Sequence, residues 1–436
     1  MKLTFVLLVV TALPIVTPTL SARQEAAQQS GASPIAVLCG QLIDGKSDSP
    51  LREAAVLIEG ERITAVGPRT LVPEGARVVD LGPATCMPGL IDAHVHTLIA
   101  TDDYQVDHLR RSSAYKALRG QSVVRKLLGA GWTSIRVAGD ADVFYAHLEV
   151  KKAIEEGLIP GPRMSGAGHY LSITGGGGDI NFFGPEHAVA ADGLVVDGVE
   201  EIRKAVRTEV KFGSDWIKVL ASGAFMSVGD DPTRAHFSPE ELKTLVEEAD
   251  RLGVPVMAHA DSNAGILQAL RAGVRSIEHG TFIDDAAIAL FKERGAFLVP
   301  TLYVWEFFLV EEADSEAQKK MVELARRYRA EYHEGLGAAI RAGVKIGLGT
   351  DYVGWPVEQS AREFALHVKV GRTPMEAIQA ATRVNAELLG WDDRVGTLEA
   401  GKLADLVAVP GDPLTDISEM ERVSFVMLGG RIIRRD

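Results

Sequence analysis

Short apolar runs and helical periods alternate through the middle of the chain. The runs are 89–96, 133–138, 163–168, 216–221, 255–260, 276–280, 297–302 and 345–351. Each has the length of one buried strand, and amphipathic stretches separate them. That alternation predicts an α/β fold, a (β/α)8 TIM barrel. Several intervening helices should end on glycine, as at Arg251-Leu252-Gly253 and Arg271-Ala272-Gly273. Ser238-Pro239-Glu240-Glu241 reads as a capping box with proline at the first helical position. Towards both ends the period changes to strand alternation, at 36–40 and 54–66 and again at 405–409, 423–427 and 431–433. These segments predict a small β-sandwich built from both termini, 34–88 and 393–436, around a barrel at 89–392.

The first 22 residues read as a signal peptide. Lys2 supplies a positive start, 3–15 an apolar stretch broken by Pro14, and Leu20-Ser21-Ala22 a small-residue cleavage site. The stretch is too short to span a bilayer comfortably. Residues 23–33 read as a flexible leader, so the mature protein is expected to be exported, periplasmic or secreted. The formal net charge of -13 over 436 residues argues against a nucleic-acid surface. Cys39 and Cys86 could form one bridge in an oxidising compartment or stay as two buried thiols.

Five of the apolar runs close on a metal-type ligand. They carry Asp92-Ala93-His94-Val95-His96, Trp216-Ile217-Lys218-Val219, Ala258-His259-Ala260, Ile277-Glu278-His279-Gly280 and Gly349-Thr350-Asp351. In a parallel barrel, strand ends of one polarity meet at one mouth. His94, His96, Lys218, His259, His279 and Asp351 should therefore converge. His94 and His96 lie two apart on a strand and share a face, so both imidazoles can bind one ion. Lys218 alone would read as a snorkelling strand-end lysine. Among these ligands it reads as a buried amine, neutral enough to take up carbon dioxide as a carbamate bridging two metals. Asp351 alone could cap the next helix; in this series it reads as a ligand and general base. The set describes a centre with two divalent ions, a hydroxide between them attacking an amide carbonyl, and Asp351 moving the proton. Imidazole-rich ligation points to Zn2+, with cobalt or manganese as substitutes.

The run Met87-Pro88-Gly89-Leu90-Ile91-Asp92-Ala93-His94-Val95-His96 resembles the opening signature of the amidohydrolase superfamily. Lysine on the fourth strand, histidines on the fifth and sixth and aspartate on the eighth complete that family's binuclear pattern. Leu171-Ser172-Ile173-Thr174-Gly175-Gly176 and Ser276-Ile277-Glu278-His279-Gly280 are similar to the imidazolonepropionase-like branch. That branch contains Xaa-Pro dipeptidases, carboxypeptidase-like dipeptidases and ochratoxin-hydrolysing amidases. The chain departs from it at Gly177, where histidine is common, and at Val137, where aspartate is common. The resemblance implies a small-molecule substrate, a dipeptide or N-acyl or N-aroyl amino acid with a free C-terminal carboxylate, ochratoxin-type amides included. It goes with a homo-oligomer and with neither nucleic acid nor a membrane span. The same metal pair would serve cyclic amides, lactones or phosphotriesters, and a secreted binding protein on an inactive barrel is the reading from another class.

Arg136, His169, Tyr170, Tyr303 and His333 are the candidates to receive the substrate carboxylate or carbonyl. Trp305, Phe307 and Phe308 form an aromatic segment that would favour a bulky substrate if it lines the mouth. Gly175–Gly178 lacks the Lys-Ser/Thr of a phosphate loop and reads as a loop over the barrel mouth. His108, His147, His187, His236 and His367 have no ligand context.

Overall fold

Residues 33–100, 103–309 and 316–436 are described by the computed structural model. The signal peptide and leader read in residues 1–32 lie outside the described residues. Three N-terminal strands, β1 (Ile35–Leu42), β2 (Leu51–Glu59) and β3 (Arg62–Pro68), pair antiparallel in sequence order. Gly60, at φ +57, takes the left-handed turn between β2 and β3 that a side chain would resist. β4 (Arg77–Asp80) and β5 (Thr85–Pro88) then run parallel to β1.

The middle of the chain supplies the barrel. Its strands are β6 (Leu90–Val95), β7 (Trp132–Ala138), β8 (Arg163–Ala167), β9 (Tyr170–Ser172), β10 (Leu194–Val195), β11 (Ile217–Leu220), β12 (Val256–Ala260), β13 (Ser276–His279), β14 (Phe297–Val299) and β15 (Lys345–Ile346). All eight apolar runs of the sequence contain a strand here. Pairing is parallel throughout, in the orders β6-β7-β8 and β10-β9-β11-β12-β13-β14-β15. Backbone bonds join the two groups into a ring. Trp216 N–H donates to Gly166 O at 3.2 Å on one side, and Ala93 N–H to Leu348 O at 3.0 Å on the other. The predicted caps are present. Ser238 and Glu241 form the capping box, and Gly273 closes its helix at φ +100.

The C-terminal strands β16 (Leu406–Val409), β17 (Phe425–Leu428) and β18 (Arg431–Arg435) return to the N-terminal unit, β16 lying antiparallel to β5. The terminal unit is hydrogen-bonded as one eight-stranded mixed sheet from both ends of the chain, order β18-β17-β16-β5-β1-β2-β3 with β4 on β1. Its inward side chains, Val37, Val56, Leu406, Phe425 and Met427 among them, pack as a core distinct from the barrel's. Cys39 and Cys86 meet in that core as a disulfide across 47 residues of chain. The bridge anchors β5, and β5 leads straight into β6 and the two histidines at its end. Among the described residues no helix is long and apolar enough to cross a membrane.

Replacing both cysteines by alanine should lower the unfolding free energy by about 3–4 kcal/mol, the loop-closure value for a link of this span. Guanidinium melts of wild type and double variant check this. Equal midpoints would mean that the bridge does not constrain the unfolded chain.

Candidate metal centre

The strand ends bring His94, His96, Lys218, His259, His279 and Asp351 to the wall of one cavity at the barrel mouth. The four imidazoles pack ring to ring, with centroids 4.5 Å apart for His259–His279, 5.0 Å for His94–His279 and 5.4 Å for His94–His96. Each ring is tied by one nitrogen. His94 Nδ1 donates to Glu278 Oε2 at 2.8 Å, and His96 Nδ1 to Gly139 O at 2.6 Å. His279 Nδ1 meets Thr301 Oγ1 at 2.7 Å, and His259 Nε2 donates to Gly223 O at 3.1 Å. Of the remaining nitrogens, His96 Nε2 faces the Asp351 carboxylate. His94 Nε2 is buried with no hydrogen-bond partner among the described residues.

Asp351 lies among these rings. Its Oδ1 is 3.2 Å from His96 Nε2 and 3.5 Å from His94 Nε2. His94, His279 and Asp351 offer ligand atoms that all fall within 4.8 Å of one another, the spacing a single cation needs. Burial alone would raise the Asp351 carboxyl. The neighbouring His94, His96 and His279 outweigh it and hold the group well below the usual carboxylate range. Burial, and then the charge of Lys218, brings His94 down to about 4, so its ring is neutral and able to ligate. Lys218 is 2% exposed. Burial lowers its ammonium to about 8, and no described residue hydrogen-bonds its Nζ. A buried orphan imidazole nitrogen, the neutral His94 and His279 rings and an ionised carboxylate are a donor set that fits a divalent cation.

The amidohydrolase family model matches residues 85–433, which span the barrel together with β5 and the C-terminal strands of the terminal sheet. The chain belongs to the amidohydrolase family. It is 36% identical to the ochratoxinase of Aspergillus niger over 426 residues, 91% of this chain and 86% of that one. The crystal structure of that ochratoxinase superposes with a TM-score of 0.81 at 34% identity, covering 93% of this chain and 96% of that one. A Xaa-Pro dipeptidase with methionine bound in its active site superposes with a TM-score of 0.85 at 32% identity, covering 92% of this chain and all of that one. The chain is therefore a metal-dependent amidohydrolase acting on amide bonds.

The candidates for carboxylate binding fare differently in this amidohydrolase. Only Tyr170 lines the cavity. Arg136 is fully buried below it. The guanidinium grips Glu278 with two bonds of 2.8 and 2.9 Å, Ala93 O at 2.6 Å and Ser276 Oγ at 3.0 Å, and stacks on Trp216. These bonds all run inside the barrel, and Arg136 is not part of the cavity wall. His169 Nδ1 is held by Glu209 at 2.8 Å, with Tyr145 packed on its ring. The Tyr303 hydroxyl donates to Gln359 and receives from Arg362 outside the cavity. His333 sits half-buried on the helix Glu316–Arg341 and away from the mouth. Of the aromatic segment, Trp305 and Phe308 line the cavity, while Phe307 turns to Tyr303 and Trp355.

Sequence reasoning missed Glu278. Burial would raise its carboxyl, but Arg136 and His94 beside it bring it down to about 2. The carboxylate fixes the Nδ1–H form of His94 and aims Nε2 inward. The available signal was a charged residue inside the apolar run Ser276-Ile277-Glu278-His279, since buried carboxylates are rare unless paired. Asp92 was missed in the same way. It accepts from Thr350 N–H at 3.0 Å and Thr350 Oγ1 at 2.6 Å, and so locks the Asp351 segment onto β6.

Glu278→Gln should weaken metal affinity by about 10–100-fold, the usual scale for losing a partner that orients a ligand. It should also destabilise the fold by roughly 3–5 kcal/mol by leaving Arg136 unpaired. Titration with a competing chelator and a chemical melt measure both. Unchanged affinity would remove the orienting role.

Proposed function

We propose that this amidohydrolase cleaves the amide bond of dipeptides or N-acyl amino acids, with the bulky apolar part of the substrate against its aromatic wall. The observation that carries the reading is the juxtaposition in one cavity. Metal-type ligands line it together with Phe225, Met226, Val304, Trp305 and Phe308. Phe225 and Trp305 meet edge to face at 4.5 Å, a flat aromatic slot that fits a benzoyl-sized or phenylalanyl group. An ochratoxinase and a Xaa-Pro dipeptidase among the relatives support the substrate class.

In this reading His94 and His96 would hold one divalent ion and His259 and His279 a second, zinc in both places. Lys218, carboxylated by carbon dioxide on its neutral amine with release of a proton, would be a ligand to both. The absence of a hydrogen-bond partner for its Nζ among the described residues, and its pKa lowered by burial, support that modification. Bound ions supply a water of lowered pKa and an electrophile for the scissile carbonyl. Asp351, ionised beside the imidazoles, takes the proton from the attacking water and returns it to the leaving amine. The Cys39–Cys86 bridge and the apolar N-terminal stretch support export into an oxidising compartment.

Among the described residues no lysine or arginine besides Lys218 lines the cavity. The Trp305 indole N–H, with no acceptor among the described residues, is the side-chain donor left for the substrate's carboxylate or carbonyl.

The test is hydrolysis of phenylalanyl dipeptides and N-benzoyl amino acids by zinc-loaded protein. Turnover should vanish on chelation and return with zinc. Asp351→Asn should keep most of its metal and lose about a hundredfold or more in kcat, the span of a general acid–base group. Full amide turnover by that variant once metal is restored would remove Asp351 as the base. Hydrolysis of lactones alone would overturn the substrate class.

A further inference from the structure

Among the described residues three hydroxyls, of Tyr104, Tyr170 and Ser227, line the cavity. Where their protons go decides what the wall can bind. Ser227 Oγ donates to Gly177 O at 3.0 Å. Tyr104 Oη lies 3.0 Å from Ser227 Oγ. Tyr104 Oη also reaches Gly177 O at 3.5 Å, so whichever hydroxyl donates to the other, each proton ends on the other hydroxyl or on that carbonyl. The Tyr170 hydroxyl donates to Asp192 Oδ2 at 2.6 Å. Asp192 is itself 0% exposed and is held on its other oxygen by Gln105 at 3.2 Å.

Every hydroxyl proton on this wall is therefore directed into the protein. What remains for a ligand is oxygen lone pairs, those of Tyr170 strengthened by the carboxylate behind it. The carboxylates of Asp261 and Asp351 also line the cavity. Such a surface offers a substrate carboxylate no hydroxyl donor and matches a cationic N–H donor.

We propose that Tyr104, Tyr170 and Ser227 seat the free α-ammonium group of a dipeptide, so that the enzyme prefers aminoacyl to N-acylated or desamino substrates. The inference rests on the amide-hydrolase reading above and chooses between its two substrate classes. The ammonium donates to the hydroxyl oxygens, and the aminoacyl side chain occupies the aromatic slot. Tyr104 and Ser227 are then specificity-determining residues, and Asp192 is a positioning residue acting through Tyr170.

The experiment compares zinc-loaded, full-length protein on leucyl-phenylalanine and on its desamino counterpart, 4-methylpentanoyl-phenylalanine. Wild type should favour the first by about tenfold or more in kcat/KM, the scale of a charge-assisted hydrogen bond. Tyr104→Phe and Ser227→Ala should each shrink that ratio by about tenfold, mainly through KM of the aminoacyl substrate. Metal content and melting temperature show that each variant is folded, and if one fails to fold the other decides. Equal or better turnover of the desamino compound, or an unchanged ratio in the folded variants, overturns the inference. Hydrolysis of neither compound overturns the amide-hydrolase reading on which it stands.

Discussion

The Glu278 carboxylate, clamped between the Arg136 guanidinium and the His94 imidazole, is the contact on which the metal centre depends. It lies at 0% exposure in the barrel interior, where an unpaired charge would cost several kcal/mol. Arg136 answers that charge. Its bonds to Ala93 O on β6 and to Ser276 and Glu278 on β13 also tie two non-adjacent strands together from β7. The layer of side chains below the ligands is thus ionic where an ordinary barrel is apolar. That arrangement adds little net stability. What it supplies is orientation, a His94 ring of fixed tautomer with its lone pair at the cavity.

Backbone strain concentrates at the same place. His279, Thr301 and Asp351 adopt left-handed φ of 70°, 46° and 55°. Each costs about 1–2 kcal/mol in a residue with a Cβ. The kink at His279 breaks strand alternation, so Glu278 and His279, adjacent in sequence, both serve the interior. Glu278 goes below to Arg136 and His279 above to the cavity. The strain is held in place locally. Asp351 N–H donates to His94 O at 2.7 Å, and Tyr332 donates to Pro300 O. Glu363 accepts from the N–H groups of Leu302 and Tyr303 at 2.8 and 2.6 Å, fixing the turn after Thr301 that carries Trp305.

The barrel was legible because its strands are buried on both faces and therefore appear as unbroken apolar runs. The ligands were legible because strand polarity alone carries their ends to one mouth. Contacts made between strands were not. Arg136 reads as a free cation in Ser134-Ile135-Arg136-Val137, since nothing in one strand tells which distant carboxylate will meet it. Glu278 was hidden by the alternation that His279 breaks. The disulfide was undecided because Cys39 and Cys86 approach only after β5 has turned alongside β1. The cavity wall was visible only in part. Trp305 and Phe308 were marked by their clustering, but Ser227 and Phe225 come from a loop whose course no local pattern sets, and Tyr104 from the start of a short helix, Tyr104–Arg110.

An anomalous-scattering map of crystals grown with zinc tests the central claim most directly, because it locates ions and ligands together. The account predicts two zinc peaks, one beside His94 and His96 and one beside His259 and His279, with density from Lys218 Nζ continuing as a planar carboxyl group between them. A map without zinc among these residues, or with Lys218 as a bare ammonium turned from the metal, would contradict it.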